Sequence, residues 1–128
     1  MSLLYNRKKR QNPQDRTAPE KYYLEAKSRG FIDWETLLDA ACDGNTADRD
    51  EVRLSVNRMF KKVEEYLLLG FNVHLGELGH MSLSIRSRGA VVETDATPLM
   101  VEDIVPHFTF GEKMRDHLKK TKLEHAPE

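Results

Sequence analysis

The chain reads as a mixed α+β fold, and three observations predict it. A long helical stripe (Val52, Val56, Met59, Phe60, Val63, Tyr66 and Leu67) runs down to Gly70, where a helix-ending glycine belongs. Beyond it, Val73–Ile85 shows the period-two apolar alternation of half-buried strands, carried by Val73, Leu75, Met81, Leu83 and Ile85. A shorter helical pattern, Met114 and Leu118 set among lysines and arginines, follows near the end. Gly76 and Gly79 interrupt the strand pattern, and glycines there mark a turn, a bulge or a close backbone approach. We therefore read Val73–Ile85 as two short strands meeting at a sharp corner. An ordinary small hairpin fits that stretch almost as well.

The other elements follow in order. Met1-Ser2-Leu3 is assigned no role in the fold. Leu4–Arg10 and Lys21–Ala26 are expected to be strands flanking the proline-bearing loop Gln11–Pro19, with Arg29-Gly30 ending the segment. Asp33 looks like an N-cap, because Trp34, Leu37, Leu38 and Ala41 recur at helical spacing after it. Gly44-Asn45 stops that helix, and Cys42 continues its apolar side as a small core residue. Thr46 or Asp48 opens the long helix. Asp48, Asp50 and Glu51 crowd its first turn and Lys61-Lys62 come later, as the helix dipole favours. After the glycine corner the second strand runs into Arg86-Ser87-Arg88-Gly89 and a turn-rich passage. Thr97-Pro98 predicts a cap with proline at the first helical position, giving one short turn through Asp103. Ile104–Phe110 reads as a returning strand, and Gly111 leads into the last helix.

Composition narrows the function classes. At 128 residues, 39% hydrophobic and 32% charged, the chain is a lean mixture for one domain with an extension, and dimerisation is a natural way to cover more apolar surface. The net charge of −1 and isoelectric point near 6.5 are not the footprint of a strongly basic nucleic-acid binder. The distribution says more. Residues 1–30 carry eight Lys/Arg against three Asp/Glu, whereas 31–70 carry five against nine and 71–104 two against five. Residues 105–128 return to five against four, so basic character sits at the two ends. The single cysteine excludes an intramolecular disulfide framework and a Cys-rich zinc site. No apolar run reaches membrane-spanning length, and the first residues lack the apolar core of a signal peptide. A soluble protein in a reducing compartment is expected by elimination.

No constellation for catalysis stands out. His74, His80, His107, His117 and His125 are scattered; His74 and His80 could share a strand face, but no carboxylate or thiol completes a metal set. Gly-rich phosphate loops, nucleophile elbows and His-Glu-x-x-His patterns are missing, and Glu64-Glu65 or Glu102-Asp103, adjacent in sequence, point in different directions. Neither an enzyme, a cofactor nor a small-molecule substrate is expected. What remains is cationic. Residues 113–122 hold five Lys/Arg against one Asp, and Arg86 and Arg88 sit one pleat apart on one strand face. Such groups on rigid elements can neutralise DNA phosphates. The run Arg7-Lys8-Lys9-Arg10 fits either a phosphate contact or a solvated edge that discourages strand pairing.

Taken together, the helix–helix–Gly order, Val73-His-Leu-Gly-Glu-Leu-Gly-His-Met, Val105-Pro106-His107-Phe108 and the Gly111-x-Lys113-led basic helix resemble the HU/IHF superfamily of bacterial histone-like proteins. Arg10-Gln11-Asn12-Pro13-Gln14-Asp15, Pro19-x-Lys21-Tyr22-Tyr23 and Lys27-Ser28-Arg29-Gly30 look like the HU-related DNA-binding proteins of Bacteroidetes that carry an N-terminal strand extension. The resemblance implies an IHF/HU-like α+β fold: two N-terminal helices, an antiparallel sheet with a short arm, and a C-terminal helix. It implies a two-strand extension at 1–30 packed on the domain, the domain itself at 31–122, and a tail at 123–128. The implied activity is that of a nucleoid-associated homodimer binding double-stranded DNA with low sequence specificity, without a membrane partner. Carried onto this chain, Arg86 and Arg88 would touch the backbone, and Lys113, Arg115, Lys119 and Lys120 would hold flanking phosphates, with Arg7, Lys8, Lys9 and Arg10 as additional contacts. The chain departs from the family at the arm. HU-type arms end in an Arg-Asn-Pro tip whose proline wedges between base pairs, whereas the segment between Arg88 and Val105 is acidic and has no such tip. Modest bending is therefore expected instead of sharp kinking. An alternative reading is an HU-like dimeric scaffold or protein-interaction module with weak or no DNA binding, which the near-neutral charge favours.

Overall fold

The computed structural model describes residues 1–127 as three α-helices and two three-stranded sheets. β1 (Ser2–Arg10) and β2 (Lys21–Lys27) form an antiparallel hairpin, registered from Leu4 opposite Lys27 to Arg10 opposite Lys21. α1 (Trp34–Cys42) begins at Asp33, whose carboxylate accepts the Thr36 N–H at 2.7 Å. That bond satisfies one of the four N–H groups a helix start leaves free. α2 (Arg49–Leu68) is capped the same way by Asp48, which accepts the Asp50 N–H at 2.9 Å. Its far end is a Schellman motif: Gly70 at φ +91° donates to the Leu67 carbonyl, Phe71 donates to Tyr66, and the Tyr66 and Phe71 rings meet edge-on at 6.1 Å.

The glycine corner folds as a tight antiparallel turn, the small hairpin that the sequence also allows. β3 is only Val73–His74, a 3₁₀ turn occupies Gly76–Leu78, and β4 (Gly79–Ser87) begins at once. The Leu75 N–H donates to the Gly79 carbonyl at 2.8 Å and closes the turn. β5 (Val101–Phe110) returns antiparallel to β4, then α3 (Glu112–Lys119) and β6 (Lys122–His125) complete the chain.

Three sequence expectations are corrected. The turn at Thr97-Pro98 ends at Met100 and does not reach Asp103, because Arg88 captures the Met100 carbonyl and pairing with β4 starts at Val101. The stretch 123–128 is not simply a trailing tail. β6 lies parallel to β1, Ser2 opposite Lys122 through Tyr5 opposite His125, with the Tyr5 and His125 rings edge-on at 5.4 Å. Glu128 lies outside the described residues. Ser2 and Leu3, which the sequence leaves without a role, belong to β1; the Ser2 hydroxyl donates to Glu124 and its carbonyl accepts from Arg29.

Register explains which face is apolar. Across β4–β5, Met81 faces Phe108, Leu83 faces Pro106 and Ile85 faces Ile104, while Val73 faces Met81 across β3–β4. That side turns toward α2, where Leu75, Met81 and Leu83 line an open groove with Phe60, Val63 and Leu67. α1 packs on α2 through Trp34 and Phe60, 5.6 Å between rings, and Arg49 and Arg53 of α2 both bind Glu35 of α1. Burial is nonetheless thin. Among the described residues only Leu38 and Ala126 are fully buried apolar groups, and Phe60, Tyr66, Leu68, Phe71 and Phe110 all remain substantially exposed.

Candidate nucleic-acid interface

The candidate DNA-contacting cations fall into three groups, which follow from topology. At one end of the β4–β5 ribbon, Arg86 lies in β4 directly opposite Asp103. Pairing then skips Glu102, a bulge that sets Ser87 against Val101. Arg88 stands just beyond the strand, its N–H donating to the Met100 carbonyl at 3.0 Å and its guanidinium reaching the Leu99 carbonyl at 3.4 Å. The arm between Arg88 and Val101 folds into two short 3₁₀ turns, Glu93–Asp95 and Pro98–Met100, with Val91 and Leu99 in solvent.

The second group is on α3, at the opposite end of the ribbon, since α3 follows the Phe110 that pairs with Gly79. Seven strand steps separate Gly79 from Arg86, or about 23 Å. One copy of the chain therefore does not bring Arg86 and Arg88 together with Lys113, Arg115, Lys119 and Lys120. Lys113 sits in the first turn of α3 beside Glu77 of the corner, 3.5 Å away. Arg115 and Lys119 lie along the helix, and Lys120 caps it. Gly111 fixes the approach: its N–H donates to the Leu78 carbonyl, and a Cβ added there would lie 2.5 Å from the Glu77 carbonyl oxygen.

The third group is the hairpin. Lys8 and Arg10 both reach Glu25, at 3.7 Å each, and Lys9 reaches Glu20 at 3.2 Å while lying over the Tyr22 ring. Arg7 stands opposite Leu24. Exposed pairs of this kind contribute about 0–1 kcal/mol each, so these side chains are free to exchange partners. Lys21 lies opposite Arg10 in the register, and Arg16 stands in the loop between the two strands. Because β6 follows α3 directly and pairs with β1, the base of the hairpin adjoins α3; Leu3, Arg29, Leu118 and Thr121 line a shared hollow.

The sheet face turned away from α2 is polar. His74 and His80 are direct cross-strand partners with rings 5.4 Å apart, and the Ser84 hydroxyl is 2.7 Å from His107 Nε2. Among the described residues no group of three or more His, Cys, Asp or Glu gathers to hold a metal ion, and Cys42 is a half-buried free thiol at the end of α1. No helix among the described residues is long and apolar enough to cross a membrane.

No curated protein matches the chain. A solved structure, described as a "Putative bacterial DNA binding protein" from Bacteroides vulgatus ATCC 8482, superposes with a TM-score of 0.69 at 20% identity, over 97% of this chain. At that identity the likeness is one of fold, and this chain spans only 47% of the length of that one. A family model, HU-HIG, described as an HU domain fused to wHTH, Ig or a glycine-rich motif, matches residues 1–125. With α1, α2, the cornered sheet and α3 in place and the match running nearly end to end, the chain belongs to the HU-HIG family of HU domains.

Proposed function

We propose that two copies of this chain form an architectural DNA-binding dimer, nucleoid-associated and cytoplasmic, that holds duplex DNA with low sequence specificity and bends it modestly. The observation that carries the dimer is the uncovered apolar side of α2 and of the β3–β4–β5 sheet. Phe60, Leu67, Leu75, Met81 and Leu83 surround an open groove, and a lone chain leaves all but two apolar residues incompletely buried. Exposed apolar surface on that scale marks an interaction face. Membership in a family of HU domains supports DNA as the second partner, as does the printed description of the Bacteroides neighbour.

In this reading DNA is held by cations alone. Lys113, Arg115, Lys119 and Lys120 on α3, with Arg86 and Arg88 at the far end of the ribbon, would neutralise phosphates and release counterions, an attraction that falls steeply with salt. Two copies are needed because one chain keeps these groups apart. The domain proper would run over 31–122, with 1–30 as an extension. Neither catalysis nor a cofactor is part of this reading.

Fluorescence anisotropy of the full chain on a random-sequence duplex of about 30 base pairs tests it, first at low and then at moderate salt. Binding at low salt that weakens as salt rises is expected; no binding at low salt would defeat the reading. The acidic arm and the Lys113–Glu77 contact favour the second reading, a dimeric scaffold without DNA, and that failure would leave it standing.

A further inference from the structure

We infer that the β1–β2 hairpin, not the tip of the β4–β5 arm, is the ribbon this chain lays in a groove of duplex DNA. The inference rests on the DNA-binding reading above and assigns the element that enters the groove.

β6 pairs only with Ser2–Tyr5, so Asn6–Arg10 is held by β2 alone and the hairpin projects past the edge of its sheet. Every residue from Asn6 to Lys27 except Ala18 is exposed, with Tyr22 at 68% and Tyr23 at 50%. A two-stranded ribbon bare on both faces is marginal in water and gains from being covered. Charge indicates what covers it. Residues 6–25 hold six cations (Arg7, Lys8, Lys9, Arg10, Arg16 and Lys21) against Asp15, Glu20 and Glu25. Beyond Arg88, residues 89–104 hold Glu93, Asp95, Glu102 and Asp103 and no Lys or Arg, so phosphates repel the tip of the arm and attract the hairpin.

Register adds an independent observation. Lys8, Arg10 and Lys21 share one face of the hairpin, while Arg7 and Lys9 share the other. A ribbon lying in a groove has a phosphate wall on each side, which suits cations on both faces. Arg10 and Lys21 are direct cross-strand partners near the tip, a like-charge pair offset among the described residues of the free chain only by the exposed Glu25 carboxylate 3.7 Å from Arg10. The ion pairs to Glu20 and Glu25 are exposed and exchange readily for phosphate. The major groove of B-form DNA admits a two-stranded ribbon, whereas that of A-form RNA is too narrow.

The test compares the full chain with R7Q/K9Q/R10Q/K21Q and with the charge-keeping R7K/K9R/R10K/K21R. Affinity for a duplex of about 30 base pairs is followed from about 50 to about 200 mM salt. Circular dichroism and sedimentation check fold and assembly. We expect the glutamine variant to bind at least about tenfold more weakly and to show a log–log salt slope shallower by about two or more units, since each neutralised phosphate supplies about one. The charge-keeping variant should bind like the parent, and double-stranded RNA should bind at least about tenfold more weakly than DNA. If the parent binds and the glutamine variant matches it in affinity and slope, the inference is overturned and the DNA reading survives. The inference equally falls if the charge-keeping variant is as weak as the glutamine one, if RNA binds as well as DNA, or if the glutamine substitutions change the oligomeric state. Failure of the parent to bind at low salt defeats the DNA reading itself, and this inference with it.

Discussion

Gly79 is pressed against the main chain of Thr109: a Cβ built on Gly79 would overlap the Thr109 carbonyl oxygen and lie 2.9 Å from the Phe110 Cα. The residue also holds φ +146°, a conformation L side chains rarely adopt. The corner that starts β4 therefore exists because two backbones touch there. Gly79→Ala should cost about 3 kcal/mol or more, combining backbone strain with overpacking. Gly44→Ala meets open space at φ +75° and should cost about 1–2 kcal/mol, from conformation alone. Gly89→Ala, with open space and no left-handed φ, should lie within about 0.5 kcal/mol of the parent. Urea unfolding of the three variants checks the order.

A dimer that meets on the groove between α2 and the sheet would make stability depend on concentration. If a second copy covers Phe60, Leu67 and Met81, the melting temperature of the parent should rise with protein concentration. Phe60→Asp should raise the dimer dissociation constant at least about tenfold, because a carboxylate cannot be left unpaired in such an interface. Thermal melts across a concentration series read the first effect, and sedimentation equilibrium the second. A melting temperature independent of concentration and a monomeric parent would contradict the assembly.

Acid should weaken the start of α1. The Thr36 side chain, then the Thr36 N–H, hold the Asp33 carboxyl below its usual value. Because the folded-state value is depressed, this contribution is present at pH above the unfolded carboxylate value and is lost as pH falls through the folded one. Asp33→Asn keeps the acceptor without the charge. Its stability relative to the parent should therefore improve as pH drops from about 6 to about 3, read by urea melts at each pH.

Much of this molecule could be read from its residues, for identifiable reasons. Caps and stops are local, so Asp33 and Gly70 located the start of α1 and the end of α2, and of the two candidates Thr46 and Asp48 the structure selects Asp48. Alternation is local too, which marked Val73–Ile85 and Ile104–Phe110 as strands, though β5 starts earlier at Val101, and allowed His74 and His80 to share a face. β6 was hidden because Lys-Leu-Glu-His is too short to show a period, and it is a strand only because β1 offers an edge. The bulge at Glu102 likewise depends on the Arg88 hydrogen bond to Met100, a pairing twelve residues apart that no window reveals. Charge was legible as a count but not as a place. Spacing alone could not say that Arg10 would meet Lys21, or that Lys113 would sit beside Glu77.

The arm carries charge of the wrong sign for DNA, and that is testable apart from the hairpin. Neutralising it in E93Q/D95Q/E102Q should leave affinity unchanged or raise it by up to about tenfold at low salt, with a smaller effect at high salt as screening removes the repulsion. By contrast, K113Q/R115Q/K119Q/K120Q on α3 should weaken binding across all sequences and flatten the salt slope by about one unit for every phosphate no longer neutralised. Both are read by the same anisotropy titration.

The most direct measurement is the stoichiometry of the complex. Native mass spectrometry of the parent chain with a random-sequence duplex of about 30 base pairs at low salt should give two chains per duplex. A chain that stays monomeric, or a dimer that leaves the duplex free under those conditions, would contradict the account.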